Sequence, residues 1–375
     1  MSGSGSATAD VTLVTAPGKG ETGIGDYTDD LLSHTDGMEV EKVELQIDSK
    51  NPLDFLLPAI HIGRTRKDVI HIQHEYGLFG PMSLMTWVFF PVVFALASMK
   101  STPVVLTLHE AINRRHVTEP LEPLKRIYIS MINRLLVFGA DHMVFLSDTT
   151  KTEFTESARP KEASVVPHGV NIDRTVDMSE SEAKERFGYA SDELVIVEPG
   201  YIEPRKGNHI FVELAERLPE YEFLIAGGVS NATYREYGEQ ITDSAPENLQ
   251  VTGVLDEEMF HTAFCAADLA VLPYLRTRQA GIVNTVGQSG IFNRCITYEL
   301  PVLGSEQSYF EDLKQEWGCV DTFNTDDLNQ AAQRIQETLN DETKKEQLVT
   351  AMHTYGTEDS FEQVVEEHKD IYQNN

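Results

Sequence analysis

The stretch Pro199-Gly200-Tyr201-Ile202-Glu203-Pro204-Arg205-Lys206-Gly207 places two adjacent cations between residues that let the backbone turn sharply. A guanidinium can fork onto two phosphate oxygens, an ammonium acts as a point charge, and glycine admits close approach of the main chain. A strand-like run before it (Glu193 to Val197) and a helical run after it (Asn208 to Leu218) give the order expected of an anion site. In the same half, Ala226-Gly227-Gly228 ends another strand, and Gly287-Gln288-Ser289-Gly290 opens the helical run Ile291 to Tyr298. With Ser289 as N-cap or direct donor and Gly290 as the point of approach, that helix start is a second anion cradle. Two such elements favour a diphosphate over a single phosphate. An exposed basic pair and an ordinary capped helix are the plainer readings of the same residues, and both stay open.

The first half offers histidines. His71-Ile72-Gln73-His74-Glu75-Tyr76-Gly77 and Thr107-Leu108-His109-Glu110 each follow a strand-like run, and in an open α/β sheet ligands bind beyond the carboxyl ends of strands. His74 and His109 are therefore candidates for holding hydroxyls of a sugar or acid, with a structural histidine as the alternative. Gly18-Lys19-Gly20-Glu21-Thr22-Gly23 formally satisfies the dinucleotide pattern GxGxxG, with Glu39 and Glu41 near the distance of a ribose-binding acid. The helix is expected to begin later, near Gly25-Asp26-Tyr27, which leaves the third glycine badly placed for helix–strand packing. A loop that approaches a ligand, with Gly23 and Gly25 in it, is the preferred reading. Neither GxxxxGK[ST], HExxH nor a DxD pair occurs, so no metal site is expected.

Elements that could position these residues recur along the chain. Strand-like runs at Val11 to Val14, Val43 to Ile47, Val69 to Ile72, Val104 to Leu108, His142 to Leu146 and Ser164 to Val166 alternate with helical stretches. After the polar stretch Arg174 to Glu185 the cadence restarts at Glu193 and continues at Glu222 to Ala226, Leu249 to Thr252, Leu269 to Leu272 and Pro301 to Gly304. This predicts an α/β fold with two facing Rossmann-like domains, 1–172 and 173–355, and a helix in 356–375 that returns to the first.

At 375 residues there is room for two cores, and three scattered cysteines (Cys265, Cys295, Cys319) give no disulfide or zinc framework. Sixty acids against 30 bases give a formal charge of −30, which repels nucleic acid and anionic membranes and argues against either as an electrostatically driven partner. The acids are spread along the chain, as on a surface tuned to high salt; an ordinary acidic protein is the other reading. The N-terminus has no signal-peptide pattern, so a cytoplasmic location is expected. Between Glu75 and Lys100 no residue is charged, and Leu84 to Ala97 carries Trp87, Phe89, Phe90 and Phe94. A buried crossover helix is preferred over a membrane contact there, because Pro91 interrupts it and a strand follows at once.

Taken in order, Gly23-Ile24-Gly25-Asp26-Tyr27, His74 to Gly80, Thr107-Leu108-His109, Pro167-His168-Gly169-Val170, Gly200-Tyr201-Ile202 with Arg205-Lys206-Gly207, Val271-Leu272-Pro273-Tyr274 and Ser289-Gly290 resemble family 4 glycosyltransferases of the GT-B architecture. The acidic composition suits a haloarchaeal type. The resemblance implies retaining, metal-independent transfer of a sugar from a nucleotide-diphosphate-sugar donor held mainly by the C-terminal domain. No further cofactor is implied, and the acceptor is a glycan, a lipid-linked molecule or a small molecule on the N-terminal side. A lipid-linked acceptor would bring weak association with the inner face of the membrane. The implied roles are diphosphate neutralisation for Arg205 and Lys206 and sugar positioning for His109 and, less directly, His74. Gly23, Gly25, Gly227, Gly228, Ser289 and Gly290 would lie along the donor. Many members carry two glutamates eight positions apart where this chain has Val286 and Arg294, with Glu299 and Glu306 as nearby carboxylates. An NAD-dependent oxidoreductase and a catalytically weakened nucleotide-sugar-binding homologue remain as alternatives.

Overall fold

The computed structural model describes residues 9–18, 22–47, 49–229, 232–279, 282–284 and 287–375, in two compact units. The first unit holds a parallel six-stranded sheet of β1 (Val11–Thr15), β2 (Val40–Glu44), β3 (Val69–His74), β4 (Val104–Leu108), β5 (His142–Phe145) and β6 (Glu162–Val165), in the order β2-β1-β3-β4-β5-β6. Strands β1, β3 and β4 are buried along their whole length; β1 and β4 accordingly read as continuous apolar or Thr-containing runs, whereas β3 buries His71, Gln73 and His74 among its apolar residues. One face is covered by an aromatic-rich cluster that includes Phe89 and Phe90 of the helix Thr86–Lys100. The uncharged segment is thus a crossover helix between β3 and β4, and Pro91 sits on its exposed side. Among the described residues no helix is long and apolar enough to cross a membrane.

The opposite face is closed by the helix Phe361–Asn374, whose Phe361, Val364, Val365, Ile371 and Tyr372 pack with Val11, Leu13, Val105 and Val144. Its polar contact is specific: the Tyr372 hydroxyl lies 2.6 Å from His71 Nδ1.

The second unit repeats the plan with β7 (Val195–Pro199), β8 (Glu222–Ala226), β9 (Leu249–Val251), β10 (Leu269–Leu272), β13 (Val302–Ser305) and β14 (Asp321–Phe323), in the order β14-β13-β10-β7-β8-β9 and all parallel. Two three-residue strands, β11 (Thr277–Gln279) and β12 (Ile282–Asn284), stand outside both six-stranded sheets. Strand β14 escaped sequence reading because Asp-Thr-Phe has no apolar run. Ionic contacts hold its Asp321, with Lys314 at 2.9 Å and Lys344 at 2.7 Å. The α/β class with two Rossmann-like domains therefore stands.

Candidate functional site

In the second unit the carboxyl ends of β7, β8, β10 and β13 lie along one edge, and the loops that leave them pack backbone against backbone. Gly200 N–H donates to the Ala226 carbonyl (3.0 Å), Ile202 N–H to Gly228 (2.9 Å) and Leu275 N–H to Arg205 (2.8 Å). Such contacts leave no room for side chains. At Gly207, φ is +78° and an added Cβ would stand 2.0 Å from the Pro273 carbonyl oxygen. At Gly227, φ is +154° and the added Cβ would meet the Gly200 oxygen at the same distance. Gly228 is similarly confined by Gly253 and Val254. The glycines thus set the positions of the charged loop.

That loop is a 3-10 turn, Pro204–Lys206, and it sends its two cations to different surroundings. Arg205 is half exposed and donates through Nε to Glu203 Oε2 at 2.7 Å. Lys206 turns inward: its ammonium donates to the Tyr274 hydroxyl at 2.8 Å and stands 4.0 Å from the centre of that ring. The Tyr274 hydroxyl is in turn 3.1 Å from Ser289 Oγ. Ser289 caps the helix Gly290–Thr297 by accepting from the Phe292 N–H at 3.1 Å. A chain of hydrogen bonds therefore joins the Arg-Lys turn to the helix start, across separations of 68 and 15 residues.

Desolvation sets the electrostatics. Burial, helped by the neighbouring Arg205 charge and opposed by Glu203 and Glu198, lowers the Lys206 ammonium to about 7. Behind it, at the penultimate position of β7, burial raises the Glu198 carboxyl to about 8 against the pull of Asn208 and Lys206. An ammonium lowered this far would gain protons on meeting an anion, so any anion bound beside Lys206 would couple its binding to proton uptake.

In the first unit the helix begins at Gly23, earlier than the sequence suggested, because Thr22 takes the N-cap and accepts from Gly25 N–H at 2.9 Å. Gly25, rather than Gly23, makes the close approach: a Cβ there would lie 2.0 Å from the Pro17 carbonyl oxygen, whereas Gly23 has open space around it. Lys19, Gly20 and Glu21 lie outside the described residues, as does Val286.

His109 is 6% exposed and its Nε2 donates to the Gln73 amide oxygen at 2.7 Å, leaving Nδ1 as the acceptor nitrogen. The Gln73 amide nitrogen faces His71 Nε2 at 3.5 Å, and that nitrogen is 2.7 Å from the Thr107 hydroxyl. With the Tyr372 contact, a buried polar line runs from the C-terminal helix to His109. Tyr27 meets His109 edge-on, with ring centres 5.0 Å apart. Desolvation holds the His109 imidazole well below the usual histidine range, with His168 and His74 adding to the effect.

His74 has a different setting. It is fully buried against Tyr76, Phe79 and Phe90, and among the described residues neither ring nitrogen has a hydrogen-bond partner. Burial lowers it to about 3. The structure places it in the core rather than on a surface that a ligand could reach.

Glu299 does not approach the anion cradle either. It follows the far end of the eight-residue helix Gly290–Thr297, about 12 Å long, and pairs with Arg174 at 3.1 Å. Glu306 follows β13 at the same sheet edge as the cradle and is exposed. Three residues central to the geometry, Tyr274, Glu198 and Gln73, had no role assigned from sequence. Position gave a partial signal, since each sits within two residues of a strand's carboxyl end.

Residues 9–174 match the family model described as "Glycosyltransferase Family 4". The alpha-galactosylglucosyldiacylglycerol synthase of Streptococcus pneumoniae is 27% identical over 157 residues, 40% of this chain and 40% of that protein. The D-inositol 3-phosphate glycosyltransferase of Mycobacteroides abscessus is 26% identical over 212 residues, 54% of this chain and 46% of that one. This chain thus spans less than half the length of these relatives. Among solved structures, HepE of Anabaena in complex with UDP and glucose superposes with a TM-score of 0.74 at 13% identity, covering 98% of this chain and 100% of that one. Sucrose-phosphate synthase of Thermosynechococcus elongatus gives 0.74 at 12%, covering 98% of each. The fold is that of GT-B glycosyltransferases.

Proposed function

We propose that this protein is a glycosyltransferase that moves a hexose-type sugar, with retention and without a metal, from a nucleotide-diphosphate-sugar donor to a glycan, lipid-linked or small-molecule acceptor. The observation that carries this reading is the Lys206–Tyr274–Ser289 linkage, which joins two phosphate-suited elements into one cradle. The match of residues 9–174 to a glycosyltransferase family supports it, as does the fold shared with HepE, which was solved with UDP-glucose. Retention and metal independence rest on the sequence resemblance. The high-salt, haloarchaeal setting rests on the charge of −30.

In this reading Arg205, Lys206 and the helix start at Ser289–Gly290 hold the diphosphate, with Gly227 and Gly228 keeping the neighbouring backbone close. As the bond from sugar to phosphate breaks, negative charge grows on the leaving diphosphate, and these groups stabilise it without reorganising. The leaving phosphate takes the acceptor proton, and no protein nucleophile is needed. His109, fixed by Gln73 with Nδ1 as acceptor, orients a hydroxyl of the transferred sugar, and Gly23 and Gly25 at the first helix of the N-terminal unit assist.

Calorimetric titration with UDP, UDP-glucose and NAD, followed by a product assay, tests this. Binding of the uridine nucleotides without NAD, and sugar transfer to an acceptor, is the expected outcome. Tight NAD binding alone would favour an oxidoreductase. Nucleotide binding without turnover would favour a weakened homologue, the reading that Arg294 in place of a glutamate keeps open.

A further inference from the structure

The helix Glu122–Gly139 of the first unit has an outward face unlike the rest of this acidic chain. Its exposed side chains are Pro123, Leu124, Arg126, Ile127, Met131, Arg134 and Phe138. Leu124, Ile127, Met131 and Phe138 are spaced at three, four and seven residues, so they form one stripe along the helix. Their exposures are 64%, 57%, 49% and 78%, and Leu121 just before the helix reaches 66%. No acidic residue interrupts the stripe. Glu122, the sole acid of the helix, is paired with Arg126 at 2.5 Å.

The chain as a whole has 60 acids and 30 bases, yet this helix carries Lys125, Arg126 and Arg134 against Glu122 alone. An apolar stripe is therefore set in a local excess of positive charge. The stripe continues onto the neighbouring crossover helix. The Trp87 indole N–H donates to the Tyr128 hydroxyl at 3.2 Å, both rings are half-buried, and Leu84 one turn earlier is 51% exposed. Large exposed apolar side chains, an amphipathic Trp–Tyr pair and flanking arginines are the combination that suits an interface between hydrocarbon and anionic headgroups.

We propose that this face docks the protein peripherally on a bilayer with anionic headgroups. The apolar stripe enters the acyl boundary, while Arg134 and Lys125 meet the phosphates. The crossover helix contributes only its exposed start, since Phe89 and Phe90 are fully buried. This inference concerns a surface and does not depend on the sugar-transfer reading.

Vesicle flotation tests it, using phosphatidylglycerol vesicles with phosphatidylcholine vesicles as comparison. The wild type is expected to float with the anionic vesicles at least tenfold more than with the neutral ones. An Ile127→Ser, Met131→Ser, Phe138→Ser variant is expected to lose more than tenfold of that binding, with an unchanged circular dichroism spectrum and unchanged UDP affinity. Arg134→Glu should lower binding to anionic vesicles alone. The proposal fails if the wild type does not float, if the triple variant floats equally, or if sedimentation shows that the triple variant instead breaks a dimer formed through this face.

Discussion

The two units place their chemistry in opposite electrostatic settings. In the C-terminal unit the cradle is built from cations at a sheet edge, with Arg205 half in water and Lys206 lowered to about 7. In the N-terminal unit the functional candidates are neutral imidazoles joined by neutral groups: His109 to Gln73, and His71 to Thr107 and Tyr372. A site that must meet a diphosphate keeps charge within reach. A site that must orient hydroxyls can bury its donors, provided they stay uncharged. The two units should therefore respond differently to pH.

Acid should break the N-terminal unit first, and this is the largest effect expected. His71, His74, His109 and His368 are all lowered by burial, His74 to about 3 and His368 to about 4, from an ordinary value of 6.5. Below 6.5 the unfolded chain binds protons that the folded unit refuses. Each imidazole then costs about 1.4 kcal/mol per pH unit until its folded value is reached. Stability present at pH 7 is thus lost between pH 6.5 and about 3, with the His368 share complete near 4. The C-terminal unit has one such histidine, His261, lowered to about 4. The chain's two tryptophans, Trp87 and Trp317, fall one in each unit. Fluorescence of Trp317→Phe is expected to change at higher pH than that of Trp87→Phe, and coincident transitions would remove the contrast.

Lys206→Ala and Arg205→Ala come next. Each removes a charge-assisted contact worth about 1.5–3 kcal/mol, roughly a tenfold to hundredfold loss in UDP affinity. Lys206 should show the larger loss because Arg205 is more solvated. Uridine should bind each variant as it binds the wild type, and equal losses for uridine and UDP would contradict the phosphate role.

Gln73→Leu should be milder and should confine its effect to the other unit. It leaves the His109 Nε2 proton without an acceptor, costing about 1–3 kcal/mol of stability. It should lower kcat for transfer with little change in UDP affinity. An unchanged kcat would mean that the tautomer of His109 is immaterial.

Much of the fold was legible because buried parallel strands read as apolar runs. Val104-Val105-Leu106-Thr107-Leu108 and Glu222-Phe223-Leu224-Ile225-Ala226 are strands over the predicted residues. Helix starts were less so, since the Thr22 cap that advances the first helix to Gly23 looks like one more polar loop residue. The cradle was legible in its parts, Arg205-Lys206 and Ser289-Gly290, but not in its connection. Tyr274 stands in the Val271-Leu272-Pro273-Tyr274 motif after a strand, but it joins the two parts only through tertiary packing, which that motif does not show. His74 and His109 look alike in sequence, each following a strand. Packing separates them: Phe79 and Phe90 enclose one, while Gln73 orients the other. The outward stripe from Leu121 to Phe138 was passed over because its spacing is also that of an ordinary core helix, and only exposure tells the two apart.

The central claim is that Lys206 receives a diphosphate and takes up a proton in doing so. UDP-glucose has no group that titrates between about pH 6 and 8.5, so its affinity as a function of pH isolates the protein's contribution. The measurement is best made in a Glu198→Gln background, which removes the carboxyl that titrates near 8. Glu198 raises the Lys206 ammonium, so in this background the free ammonium sits below 7 and the bound one higher, and affinity should be constant only below that lowered value. Above it, affinity should fall toward tenfold per pH unit. Lys206→Met should bind more weakly at low pH and show no slope. A flat profile with Lys206 present, or the same slope after Lys206→Met, would contradict the account.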